Sequence, residues 1–222
     1  MSTPGSADVW QRRGASVVRL SRRALVYELG MWRSLHRWLA RRPVLDGAEP
    51  FSYAGAVTPL LWGFIGVSAV EIPLVHLLLP WPGVRLALLA AGVYGLLWMV
   101  GLLAGLRVHP HTVGEPGLRL RCGPTVDMVV PWDEVAAVRY RLRSREGMRS
   151  VQVESTGSDR RLHLLVSGQT NIDVVLRRPL PLLARRGDDE PVAEVHFFAD
   201  DAKALVSRLR AGLADRRPSD AG

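Results

Sequence analysis

Two ionisable side chains, Glu71 and His76, stand inside the apolar run from Val57 to Leu79. A charge at the centre of a bilayer costs roughly 2.5 to 3.5 kcal/mol, so such a residue normally faces protein or water and has a use. The two are five residues apart, about 140° round a regular helix, and so do not share a face. Pro73 lies between them and removes one backbone hydrogen bond, so a kink could draw them together. Three readings follow: a protonatable pair, a contact with a partner's helix, or a neutral glutamic acid hydrogen-bonded within a hairpin or homo-oligomer. No other apolar run offers a complementary charge, so an ion or proton path through Glu71 needs several copies of the chain.

Elsewhere the reactive side chains do not converge. His36, His76, His109, His111, His163 and His196 are scattered, and His76 is separated from the His109–His111 pair by the length of an apolar span. A three-ligand metal site is not expected from them. Cys122 is the single cysteine, so no internal disulfide forms, as suits a reducing compartment. No nucleophile elbow, zinc-protease helix, phosphate loop or dinucleotide fingerprint occurs. The expectation is a non-enzymatic protein without cofactor. A second group, Arg139, Arg141, Arg143, Arg145 and Arg149, surrounds a turn interrupted by Glu146. It suits anionic head groups or a protein partner, or is solvated surface. The basic balance of +8 does not mark a nucleic-acid binder, because arginines and acids intermingle in both flanks.

These residues must be held by two long apolar segments. About 20 apolar residues cross a bilayer core of ~30 Å, and spans of about 57–79 and 85–106 both satisfy this. Pro80-Trp-Pro-Gly83 between them is expected to be the turn of a hairpin. Gly63 and Gly66 in the first span, and Gly101 and Gly105 in the second, are small residues that let helices approach closely. Their expected use is packing the hairpin on itself, with dimerisation as the alternative. Arg33, Arg37, Arg41 and Arg42 precede the first span and Arg107 ends the second, whereas the turn is uncharged. The positive-inside rule then puts both termini in the cytoplasm. No signal peptide is expected.

Residues 1–50 form a basic arm: a polar start, then apolar residues at helical spacing from Ser16 to Ala40, and a linker from Pro43 to Pro50. With Trp10, Trp32 and Trp38, this amphipathic helix suits an anionic membrane surface, or packs on the protein's own soluble domain. From 108 to 214 the period changes to two. Eight short runs between turn signals predict an antiparallel barrel or sandwich, followed by a helix capped by Asp200 and a disordered tail over 215–222.

A strand meander closed by one C-terminal helix resembles the pleckstrin-homology-like barrel. The segment Val129-Val-Pro-Trp-Asp-Glu-Val-Ala-Ala-Val-Arg139 looks like the bacterial form, where a strand ends in a Pro-Trp turn and a short helical step. With Gly117-Leu-Arg-Leu-Arg-Cys-Gly123 and Asn171-Ile-Asp-Val-Val-Leu-Arg-Arg-Pro179, the chain is similar to small bacterial membrane proteins that join a two-span hairpin to such a domain. The resemblance covers Ala56 to Leu213 and implies an interaction or assembly module on the cytoplasmic side of the bacterial inner membrane. Its partners would be membrane lipids and a second protein or further copies. The alternative is anionic-lipid sensing or membrane remodelling by the basic helix and barrel.

Overall fold

The computed structural model describes residues 25–42, 44–45, 47–147, 149–156, 159–184 and 188–216. The expected disordered start, the first part of the basic helix with Trp10, and most of the polar tail lie outside the described residues.

Helix α1 covers residues 25–39. Helices α2 (Thr58–Leu78) and α3 (Pro82–Val108) form the hairpin, and both are long and apolar enough to cross a membrane. The turn is shorter than the sequence predicts, being only Leu79–Trp81. Pro82 opens α3 instead of breaking it, because its fixed φ suits the first helical turn, where no amide hydrogen is needed. α2 continues through Pro73. Gly92 of α3 packs against Ile72 of α2; a Cβ on Gly92 would lie 2.8 Å from Ile72 Cγ1. α3 also runs on to Val108, two residues past the expected end of the span.

α1 does not lie flat across the end of the hairpin, as an interfacial helix would. It stands beside α3 and runs parallel to it. The Tyr27 and Trp98 rings are 6.4 Å apart, Met31 fills the space over Gly101, and Ser34 Cβ lies 4.0 Å from where a Cβ of Gly105 would be. The small pair Gly101 and Gly105 therefore receives α1 and does not pack the hairpin on itself. The cause is steric: a Cβ on Gly101 would come within 2.7 Å of Met31 Cγ. Met31 and Ser34 are buried there, and Ser34 Oγ donates to Gly30 O at 2.7 Å, so the hydroxyl is satisfied within its own helix.

Among the described residues there are nine strands, of which eight, β2 to β9, follow the alternating runs. One sheet is antiparallel in the order β1 (Glu49–Phe51), β2 (His111–Gly114), β3 (Gly117–Cys122) and β4 (Val126–Pro131). The second contains β5 (Val135–Ser144), β6 (Val151–Thr156), β7 (Asp159–Leu164), β8 (Gln169–Leu180) and β9 (Val192–Phe197), in the order β5-β8-β9-β7-β6. No barrel closes. Pro131 has no amide hydrogen with which to extend the ladder, and the one-turn helix Trp132–Glu134 carries the chain into the second sheet. Nor is the meander purely antiparallel, since β7 and β9 pair in parallel.

The sheets face one another across a single core. Leu118, Leu120, Val130, Ile172, Val174 and Phe197 fill it, and α4 (Ala202–Ala214) adds Leu205 and Leu209. Trp132 locks this corner by donating its indole N–H to Gly114 O at 2.9 Å and packing against Gly212 of α4. The cap of α4 is Asp201, whose carboxylate accepts from Ala204 N at 2.9 Å; Asp200 has another use.

β1 comes from the segment predicted as linker. It precedes the hairpin in the chain but pairs with β2, which follows it: Phe51 faces His111 and Glu49 faces Val113. The hairpin is thus an insertion between two neighbouring strands of one sheet.

Candidate functional site

The joint between helices and sheets is built from buried polar groups. Phe51 leads to Tyr53, whose ring stacks on His111 at 4.7 Å and whose hydroxyl accepts from Gly123 N at 2.8 Å. His111 Nε2 meets Phe198 O at 3.0 Å and Nδ1 accepts from Arg121 N at 3.2 Å. Burial is the main cause that lowers the His111 pKa to about 4, and the Arg121 charge adds to it against the carbonyl hydrogen bond. Tyr53 is pushed well above the usual phenol range, first by burial. Arg121 is itself buried, donating to Val44 O at 2.6 Å with Asp127 3.7 Å from its Nε. On the other side of the joint, Asp200 N donates to Ser52 O at 2.8 Å.

Beside this joint lies a cavity of about 330 Å³. Its walls come from α1 (Tyr27, Met31), α3 (Leu102, Leu106), the β3–β4 turn (Cys122 to Val126) and the start of β6 (Arg149 to Val151). The size lies within the range of small-molecule pockets.

The outward face of the second sheet holds an unexpected row of titratable groups. Arg139, Asp173, His196, His163 and Gln152 are successive cross-strand partners. The two imidazoles meet edge to face with centroids 4.6 Å apart, and both are buried. His196 Nε2 lies 2.9 Å from Glu194 Oε2 and 3.8 Å from Asp173 Oδ1; His163 Nε2 lies 3.3 Å from Glu154 Oε2. Burial first, then His196 and Arg145, lower the His163 pKa to about 4. Among the described residues, no group of three or more His, Cys, Asp and Glu side chains could hold a metal ion.

The arginine group is divided by this row. Arg143 pairs with Asp173 at 2.8 Å and Arg145 with Glu154, so two of the five charges are spent on internal carboxylates. Arg139 and Arg141 are exposed on β5, and Arg149 is exposed at the rim of the cavity. Glu71 is exposed on α2 and His76 half-buried, and among the described residues no hydrogen bond or ion pair joins them. Gly63 and Gly66 face open space, with nothing within 4 Å of an added Cβ.

Sequence reasoning missed the histidine pair, the His111–Tyr53 stack and the cavity. A trace of the first was present, since His163 and His196 both occupy outward positions of alternating strands. Their meeting depends on a parallel pairing that no local pattern announces.

No protein-family model matches the chain, and neither a curated protein nor a solved structure is significantly similar to it. The likeness to the bacterial pleckstrin-homology form therefore rests on the residue patterns alone.

Proposed function

We propose that the chain is a multi-pass protein of the bacterial cytoplasmic membrane whose two-sheet domain serves as a cytoplasmic, pleckstrin-homology-like interaction or assembly module. One observation carries the reading: in α2 and α3 only 6% and 11% of the most apolar stretches are buried. Core helices of a soluble domain would be mostly covered. Here Leu60, Phe64, Val67, Val70, Leu74 and Leu77 of α2 are all exposed, a larger continuous apolar surface than a monomer keeps in water. Lipid is the covering that fits two helices of this length.

The hairpin's insertion between β1 and β2 gives it a mechanical reason to be there. Such an arrangement holds a domain at a fixed height and angle over a bilayer, as an assembly module requires, whereas a flexible tether would not. The exposed Glu71 on the outward face of α2 fits the same reading, because a carboxyl group at that depth calls for a partner helix or a further copy. Lipid sensing by the arginine turn is less favoured, since Asp173 and Glu154 neutralise Arg143 and Arg145.

The test is to wash isolated membranes with alkaline carbonate and then to measure the mass and composition of the particle extracted in mild detergent. Retention in the membrane with a stoichiometric second protein supports the adaptor reading. Release by carbonate overturns the membrane assignment, and a bare monomer overturns the assembly role.

A further inference from the structure

The cavity beside the joint is walled by α1, α3, the β3–β4 turn and the residues that lead into β6. β4 and β6 are the outermost strands of their respective sheets, and no ladder joins them. Its inner wall is apolar: Met31, Leu102, Leu106, Val126 and Val151. Ser150 and Arg149 also line it, and both are exposed. Arg149 has no carboxylate partner among the described residues, in contrast to Arg143 and Arg145. An apolar slot capped by one cation matches an amphiphile with an acyl chain and an anionic head.

Position selects the source. Leu102 and Leu106 belong to the domain-proximal end of α3, and α1, which supplies another wall of the cavity, exposes Leu25, Val26 and Leu29. If the hairpin spans the bilayer as proposed above, this is the headgroup level of the leaflet next to the domain. A chain already in that leaflet reaches the slot by sliding along α3, without passing through water. We propose that the cavity binds one anionic phospholipid, its acyl chain along Leu102 and Leu106 and its phosphate at Arg149, and so couples the domain to the charge of the leaflet.

Cys122 lines the same cavity and is the only cysteine in the chain, which makes it a reporter of occupancy. The full-length protein is placed in nanodiscs of phosphatidylcholine alone or with phosphatidylglycerol, and the rate of Cys122 labelling by a small maleimide is measured in each. Phosphatidylglycerol should slow labelling about fivefold, because the choline cation of phosphatidylcholine offsets its phosphate and opposes Arg149, a difference of about 1 kcal/mol. Arg149→Ala should remove the protection, whereas Arg141→Ala, outside the cavity, should retain it. Equal rates in the two lipids, or protection that survives Arg149→Ala, overturn the proposal while leaving the membrane reading intact. A protein that does not remain in the nanodisc overturns both.

Discussion

The carboxylate of Asp200 holds the backbone amide of Gly55 through both of its oxygens, at 3.0 and 2.9 Å. This clamp joins the start of the hairpin to the turn before α4, 145 residues away in sequence. A Cβ on Gly55 would lie 2.7 Å from Asp200 Oδ1, so the approach requires glycine. Asp200→Ala should lower stability by about 1 kcal/mol, less than the ~1.5 to 3 kcal/mol of a hydrogen bond to a charged group because the site is exposed. It should also make residues 52–57 more susceptible to limited proteolysis in detergent. Unchanged cleavage would mean that the clamp does not close the joint.

The stacking of α1 on α3 is open to a direct covalent test. Ser34 Cβ and the Cβ of a residue replacing Gly105 would be 4.0 Å apart, within the span of a disulfide. In a Cys122→Ser background, Ser34→Cys with Gly105→Cys should form an intramolecular disulfide under mild oxidation. A further Gly101→Leu should abolish it by displacing Met31. Failure of the first pair to cross-link would return α1 to the membrane surface.

Acid should weaken the domain before its carboxylates are protonated. His111 and His163 have folded pKa values near 4, below the ordinary 6.5, so between pH 6.5 and 4 the unfolded chain binds more protons than the folded one. Stability is therefore fully present above pH 6.5 and falls as the pH drops towards 4. The limit is about 1.4 kcal/mol per pH unit for each ring. Glu154 and Asp188, whose pKa values are held down by Arg145 and Arg160, contribute only below about 4.5. Thermal unfolding between pH 7 and 5 should show the slope, and His163→Gln should reduce it; an identical slope in the variant would acquit this ring.

Two glycines of the hairpin should respond in opposite ways. Gly92→Val drives a side chain into Ile72 and should cost about 1 to 3 kcal/mol, as overpacking does. Gly63→Ala meets nothing within the chain and should leave thermal stability in detergent within about 0.5 kcal/mol. If Gly63→Ala nevertheless lowers the mass of the particle, the open face of α2 is where copies meet.

What the sequence made legible was whatever depends on local period. Runs of apolar residues delimited α2 and α3 to within a few residues, and the eight alternating runs expected after residue 108 correspond in number to β2 through β9. The Pro131-Trp132 step was expected from the resemblance to the bacterial pleckstrin-homology form, and β4 ends there in a one-turn helix. Pairings between distant segments were not. β1 has three residues, too few for any period, and its partner lies beyond the whole hairpin. The use of Gly101 by Met31 was hidden for a similar reason: a small residue declares that something comes close, without saying what. At the histidine row, the carboxylates that bury His163 and His196 lie on three different strands, and only the sheet order brings them together.

The division of one sheet by the hairpin also sets the order of events during synthesis. β1 leaves the ribosome some sixty residues before its partner β2 and must wait, unpaired, while the intervening helices form. Closing so long a loop is an entropic cost that slows folding. An antiparallel helix pair cancels much of it, since the start of α2 and the end of α3 are brought to the same place before β2 is made. Pairing of the two helices thereby acts as a checkpoint: a chain whose helices have not paired keeps a bare strand edge and cannot complete its first sheet.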